Sequence, residues 1–329
     1  MKILIIRFSS IGDIVLTTPV VRCIKQQLPN AEIHFLTKES FSSILQGNPH
    51  IYQLHFLRNS IEATVSKLKM IRFDFIVDLH KNQRTFAIRR LMRVKSYSFD
   101  KLNIQKWMMV NFKINRLPNV HIVDRYLASV AKLGVADDGA GLDYYIPAVQ
   151  QIQAEQMPAT HRNGYVAVAI GAAHYTKRYA LKHLIELCRI LEQPIILLGG
   201  PEDKATGQEI AELSGNALVW NACGLFNLHG SASLVSQARV VVSNDTGLMH
   251  IAAAFQKPIV SIWGNTIPEF GMYPYYGKNS RMEAVIVQQS GLACRPCSKI
   301  GFDKCPKRHF KCMMDIQPSE VAGHVARLW

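Results

Sequence analysis

Chemistry in this chain would sit on three turns that join an apolar run to a helix-like one. Ser9-Ser10-Ile11-Gly12-Asp13 places a carboxylate on a glycine-containing turn. Asp13 could act as a general base if it reached a substrate hydroxyl, and it could equally cap the helix that follows. Ser243-Asn244-Asp245-Thr246-Gly247-Leu248-Met249-His250 stands between Arg239-Val240-Val241-Val242, which reads as a buried strand, and Ile251 to Phe255, which reads as helix. Such a turn aims backbone N–H groups and the positive end of a helix dipole outward, which outlines an anion site. Capping by Asn244, Asp245 or Thr246 explains the same residues. The loop Gly171-Ala172-Ala173-His174-Tyr175-Thr176-Lys177-Arg178-Tyr179 could cradle a diphosphate, with Lys177 as a point charge, or could be a solvated basic loop.

Weaker candidates accompany these. Glu202 or Asp203, in Gly199-Gly200-Pro201-Glu202-Asp203, could accept hydrogen bonds from a ribose diol or cap a helix. His250 lies four residues after Thr246. Cys294, Cys297, Cys305 and Cys312 follow the spacing C-x2-C-x7-C-x6-C, with His309 nearby. Four thiols in a short segment can hold a structural zinc, although the second pair lacks the two-residue knuckle. Neither a Walker A loop nor a G-x-G-x-x-G after a strand is present.

The elements that must position these turns alternate. Strands are expected at Lys2 to Phe8, Glu32 to Thr37, Gln53 to Leu57 and Phe73 to Leu79, with helical patterns from Ile14 and from Ile61 to Ile71. From Asn103 to Asp137 the pattern weakens to one helix, His121 to Leu133, and Asp137 to His161 reads as a linker. The rhythm resumes with strands at Tyr165 to Ile170, Pro194 to Leu198, Leu218 to Trp220, Arg239 to Val242 and Pro258 to Trp263. Between them fall helices at Leu181 to Leu191, Glu202 to Leu213, Leu228 to Gln237 and Met249 to Phe255, and a last helix runs from Pro318. Strands separated by helices imply parallel βαβ units, whose ligands bind at the carboxyl ends of the strands. The expectation is an α/β protein of two doubly wound domains facing across a cleft. The first spans residues 1 to 155 and the second 156 to 317. The helix from 318 to 329 could pack back on the first.

Bulk properties narrow the partners. With 329 residues, 48% apolar content and a mean hydropathy of +0.04, the chain is globular, and no apolar run is long enough to span a bilayer. The apolar run near Met1 is too short for a secretory signal, so a cytoplasmic location is expected. A formal charge of +14 implies an anionic partner. Ten basic residues and one acidic residue lie between Lys81 and Arg116, interleaved with Trp107, Met108, Met109, Val110 and Phe112. Such a mixture suits an anionic, partly apolar surface.

In order along the chain, Ile3 to Asp13, Thr176-Lys177-Arg178-Tyr179, Gly199-Gly200-Pro201 and Val242 to Gly247 through His250 resemble the family 9 glycosyltransferases, the lipopolysaccharide heptosyltransferases. The resemblance spans nearly the whole chain and implies a GT-B fold, with the acceptor on the first domain and the donor on the second. It implies inverting transfer from ADP-heptose, without a metal or catalytic cofactor, to a lipopolysaccharide core acceptor. Asp13 would be the base, and Ser9, Ser10, Gly12, Arg84 and Arg89 would lie on the acceptor side. Lys177 would contact the donor diphosphate, Glu202 the ribose, and Phe226 the adenine. Asp245, Thr246, Gly247, Leu248 and His250 would hold the donor sugar and phosphates. Peripheral contact with the inner face of the cytoplasmic membrane, and no nucleic acid, would follow. Ala172-Ala173 stands where some members carry Thr-Thr, which leaves another nucleotide-sugar donor open. A nucleotide-sugar epimerase on the same fold is the rival enzyme class, and an anion-binding module the rival without catalysis.

Overall fold

The computed structural model describes residues 1–329. Its first sheet is built from β1 (Lys2–Ile6), β2 (Glu32–Thr37), β3 (Gln53–Phe56), β4 (Phe75–Asp78) and β5 (Lys95–Ser98), all parallel in the order β3-β2-β1-β4-β5. Helices α1 (Ile11–Val15), α2 (Thr18–Gln27), α3 (Ser43–Gln46), α4 (Ile61–Lys69) and α5 (Gln83–Met92) fall in the crossovers. Next come α6 (Asn103–Phe112) and α7 (Ile122–Val130). Ile3, Leu4, Ile5 and Ile6 are fully buried, as expected of a central parallel strand covered on both faces.

The second sheet contains β6 (Val166–Ala169), β7 (Ile195–Leu198), β8 (Val219–Asn221), β9 (Val240–Asn244), β10 (Ile259–Trp263) and β11 (Val285–Gln288). Its parallel order is β11-β10-β9-β6-β7-β8. The helices are α8 (Leu181–Ile190), α9 (Lys204–Ser214), α10 (Leu228–Gln237), α11 (Gly247–Ala254), α12 (Lys311–Met314) and α13 (Pro318–Leu328). In each sheet the first strand in sequence lies between the second and the fourth. That is the doubly wound arrangement, and the loops after those first and fourth strands diverge at a topological switch point, the ligand position of open α/β sheets.

The helical pattern from Ile14 is two helices rather than one. The chain turns at Leu16 and Thr17, and α2 restarts with Pro19 in its first turn, where a missing N–H costs nothing. Thr17 and Thr18 hydroxyls donate to the Ile14 and Val15 carbonyls at 2.7 and 2.8 Å, satisfying acceptors released by the break. Strands β5 and β11 and helices α5 and α6 lie where no regular element is expected. β5 and β11 are short edge strands, and α6 has no buried residue, so apolar periodicity is weak in each.

Two compact units emerge. The first comprises 1–101, 120–145 and 277–279, and the second 102–119, 146–276 and 280–329. The units therefore part at Tyr145 rather than near residue 155, and the basic segment from Lys81 to Arg116 is divided between them. Helix α6 belongs to the second unit, where Lys106 Nζ lies 5.7 Å from the Phe270 ring centroid. Residues 277–279 return to the first unit because Asn279 N donates to Gly139 O at 3.0 Å and Gly277, at φ +88°, packs against Gly141 too closely for a Cβ. Helix α13 contributes Val321 and Val325 to the core of the second unit, alongside Leu184, Val242 and Ile262. No helix is long and apolar enough to cross a membrane.

Candidate active site

At the first switch point Arg7 leaves β1 and enters the unit's interior, where its side chain is 9% exposed. Its Nη2 meets Asp13 Oδ1 at 2.6 Å. Nε donates to Ser9 O at 2.8 Å, and Nη1 donates to Leu79 O at 2.6 Å and to Tyr126 Oη at 3.1 Å. Burial alone would lower the Arg7 pKa, but the charge of Asp13, with smaller contributions from Tyr126 and Asp78, turns the shift upward. Asp13 Oδ2 accepts from the Ser10 hydroxyl at 2.7 Å and the Ser10 N–H at 3.2 Å. The carboxylate does close the first turn of α1, as a helix cap requires. It also stays 21% exposed and carries a buried guanidinium behind it, which capping alone does not need.

Asp78, at the end of β4, is fully buried and accepts from His80 N at 3.0 Å and Lys81 N at 2.8 Å. Arg89 Nη1 reaches Asp78 Oδ2 at 3.3 Å, and Arg89 Nε donates to Ser96 Oγ at 3.0 Å. Of the acceptor-side candidates, Arg89 is therefore engaged inside the unit, whereas Arg84 is exposed in the first turn of α5. Gly12 is buried, Ser10 is exposed, and Ser9 is partly exposed. Burial, then the Arg7 and Lys101 charges, hold the His80 pKa down at about 4, so this imidazole is neutral at neutral pH. Its ring packs 4.9 Å from Phe8, centroid to centroid.

The second switch point lies between the loops after β6 and β9. Lys177 Nζ and Asp245 Oδ2 are 2.7 Å apart, bringing two of the three sequence candidates together. Thr266 donates its hydroxyl proton to the same Asp245 oxygen at 2.9 Å. Asn244 is buried and structural: its Oδ1 accepts from Tyr179 N at 3.1 Å and its Nδ2 donates to Ala169 O at 3.3 Å. Thr246 is the N-cap residue of α11, yet no side chain caps that helix; its hydroxyl lies 3.2 Å from Ser243 Oγ. The N-cap side chain thus does not occupy the N–H groups of the first turn, as an anion site requires. Asp245, Thr246, Gly247 and Leu248 are partly exposed, whereas His250 is buried.

Glu202 and Asp203 separate by environment. Asp203 is buried, accepts from Gly200 N at 3.0 Å and meets Arg178 Nη1 at 3.3 Å. It packs so closely on Gly171 and Gly199 that a Cβ on either would lie within 3 Å of its side chain. Glu202 is exposed. Phe226 is half-buried, 6.2 Å from Trp220 in an edge-to-face arrangement.

Comparison with known proteins identifies the family. The profile described as glycosyltransferase family 9 (heptosyltransferase) matches residues 61–300. The chain belongs to glycosyltransferase family 9. Like the other members of this heptosyltransferase family it is a transferase, on the GT-B variety of α/β fold. It is 25% identical to lipooligosaccharide heptosyltransferase 2 of Haemophilus ducreyi, over 100% of this chain and 99% of that one. Among solved structures, the family 9 glycosyltransferase of Veillonella parvula superposes with a TM-score of 0.77 at 21% identity, covering 99% of this chain and 96% of the other. E. coli heptosyltransferase WaaC with ADP-2-deoxy-2-fluoro heptose gives a TM-score of 0.68 at 20% identity, covering 99% of both.

Within this family 9 chain, the residues that sequence reasoning passed over are those that hold the candidates. Arg7 carries a local signal, a charge ending an apolar strand. His80 and Thr266 carry none, because they meet the site only through strand pairing.

Proposed function

We propose that this family 9 transferase moves a heptosyl unit from ADP-heptose to a lipopolysaccharide core acceptor, with inversion at the anomeric carbon. The observation that carries this is the division of charge between the two switch points. The first holds a carboxylate fixed by Arg7 and Ser10. The second holds a lysine beside a helix start that no side chain caps. Asp13 takes the acceptor hydroxyl proton as that oxygen attacks, and Lys177 with the first turn of α11 stabilises the leaving diphosphate electrostatically. Thr246, Gly247 and Leu248 line that helix start. Asp245 orients Lys177, exposed Glu202 meets the ribose, and Phe226 lies by the adenine. His250 supports the turn from within. Support for the donor comes from the relative bound to an ADP-heptose analogue. Support for the acceptor comes from the relatives named as lipopolysaccharide and lipooligosaccharide heptosyltransferases.

On the acceptor side we place Ser9, Ser10, Gly12 and Arg84, with Arg89 as a support for Asp78. The exposed cations Arg84, Arg90 and Arg93, and the exposed Ile104, Trp107 and Phe112 of α6, suit the anionic surface of the inner leaflet that carries the acceptor.

Transfer is read by ADP release in the presence of ADP-heptose and a deacylated core acceptor, with the product anomer assigned by NMR. Asp13→Asn is expected to lower kcat by about 10²- to 10⁴-fold with donor affinity retained. Near-normal turnover in that variant would end the assignment of the base. Matching panels of UDP- and GDP-sugars test the donor, and isomerised donor formed without acceptor would identify an epimerase instead.

A further inference from the structure

His80 stands across the first switch point from Asp13, and its ring has no part in the transfer step. Strand pairing sets Ile6 beside Asp78, so the loop after β4 runs next to the loop after β1. Phe8 and His80 meet there, with ring centroids 4.9 Å apart. One guanidinium joins the two loops. Arg7 holds the Asp13 carboxylate through Nη2 and the carbonyl of the Leu79–His80 peptide through Nη1.

The backbone around the ring is fastened on both sides. Buried Asp78 accepts from His80 N and from Lys81 N. Lys101 Nζ donates to the His80 and Lys81 carbonyls, each at 3.1 Å, and Lys81 Nζ donates to Phe99 O at 2.9 Å. Lys81 is held at φ +50°, a left-handed conformation uncommon for a residue with a Cβ and kept where the surroundings impose it. The side chain of His80 is treated differently. Its ring is partly exposed, and Nδ1 is buried without a partner. A buried donor without a partner is rarer than a buried acceptor without one, so Nδ1 keeps the lone pair and Nε2 carries the proton. Nε2, at the other edge of the ring, is the nitrogen that remains for a ligand.

Burial, then the Arg7 and Lys101 charges, keep this imidazole neutral at neutral pH. That state suits a neighbour of the base. An imidazolium would weaken the carboxylate as a proton acceptor, whereas a neutral N–H binds a sugar hydroxyl and leaves the charge of the carboxylate unopposed by its own.

We propose that His80 positions the acceptor: Nε2–H donates to a hydroxyl of the sugar that carries the nucleophile and so turns the attacking oxygen toward Asp13. This rests on the assignment of Asp13 as the base and of the first unit as the acceptor side. His80 itself transfers no proton. Arg7 sets the spacing of the two groups, because the guanidinium that fixes the carboxylate also fixes the peptide that carries the imidazole.

The full chain is assayed by ADP release, with ADP-heptose and a deacylated core acceptor varied in turn. His80→Phe keeps a ring against Phe8 without a hydrogen bond. It should raise the KM for the acceptor about 10-fold, while ADP affinity by calorimetry and the Tm stay near those of the wild-type chain. His80→Gln, whose amide N–H can replace that of the imidazole, should return this KM to within about threefold of wild type. An unchanged acceptor KM in His80→Phe would overturn the proposal. Equal weakening of donor and acceptor would do the same, because it marks a ring that only supports the fold. Loss of kcat by about 10²-fold or more in His80→Gln, at unchanged acceptor KM, would make the imidazole the proton acceptor instead. A second measurement needs no turnover. The 15N resonance of His80 Nε2, assigned by its absence from His80→Gln, should move when core saccharide is added without donor. A resonance unmoved by saccharide would refute the contact. A wild-type chain that releases no ADP with this acceptor fails the assigned function, and the resonance then decides the saccharide contact by itself.

Discussion

Arg7 holds Asp13, the Ser9 and Leu79 carbonyls and the Tyr126 hydroxyl with one planar guanidinium. An ammonium cannot reach all four, because it is a point charge on a flexible stem. Arg7→Lys should therefore cost about 3 kcal/mol in urea unfolding, as expected for a disrupted buried ion pair, and should lower kcat by releasing Asp13. An unchanged midpoint would show that the contacts around Arg7 contribute little. Asp13 itself was visible as a turn carboxylate. The guanidinium that distinguishes it from an ordinary cap is supplied by a strand end, and the remaining contacts come from Leu79 and Tyr126, far along the chain.

The helix α11 allows capping and anion binding to be separated. Its N-cap Thr246 makes no side-chain hydrogen bond to the first turn. Thr246→Asp supplies a good cap and a favourable charge for the dipole, worth about 1 kcal/mol of stability. The same carboxylate would lie where the donor diphosphate is assigned. Scanning calorimetry should show a higher Tm while ADP titration shows weaker binding. A stabilised variant with unchanged ADP affinity would return this turn to a purely structural role. Strands β1 and β9 were legible because apolar runs bounded by turn residues have few other readings. Strand β5, helix α5 and helix α6 were not, since half-exposed edges carry little apolar periodicity.

Across the whole molecule, buried histidines make stability depend on pH. Burial, then neighbouring charge, holds His55 and His80 down at about 4, and burial also lowers His34, His161 and His183. His34 Nδ1 and His55 Nε2 are 2.9 Å apart, so a proton on both is opposed further by repulsion. A histidine kept neutral in the folded chain costs nothing above its unfolded value of about 6.5. As pH falls from about 6.5 toward 4, the unfolded chain takes up protons that the folded one refuses, and stability drops. Unfolding midpoints measured from pH 7 to 4.5 should fall steadily, with a shallower slope in His55→Gln. An equal slope in that variant would exclude the pair as a source.

Charge is the other property of the whole chain. Arg84, Arg90 and Arg93 are exposed, whereas Arg89 is tied to buried Asp78 and would damage the fold if reversed. Arg84→Glu with Arg90→Glu and Arg93→Glu should weaken sedimentation with anionic vesicles, most clearly at low salt, and leave the Tm nearly unchanged. Equal vesicle binding would remove the membrane from the assigned role of this face.

The sequence by itself determined the alternation of buried strands and helices, the turn residues at the strand ends and the spacing of the four cysteines. These are local properties, written in the order of apolar, polar and glycine positions. Only the tertiary structure decided that β1 lies beside β4 and β6 beside β9. Those pairings set Arg7 against Leu79 and the loop of Lys177 against that of Asp245. They also exposed Glu202 while burying Asp203, and gave α13 to the second unit. Strand order arises from long-range hydrogen bonding and shared burial, and no local period in the chain encodes it.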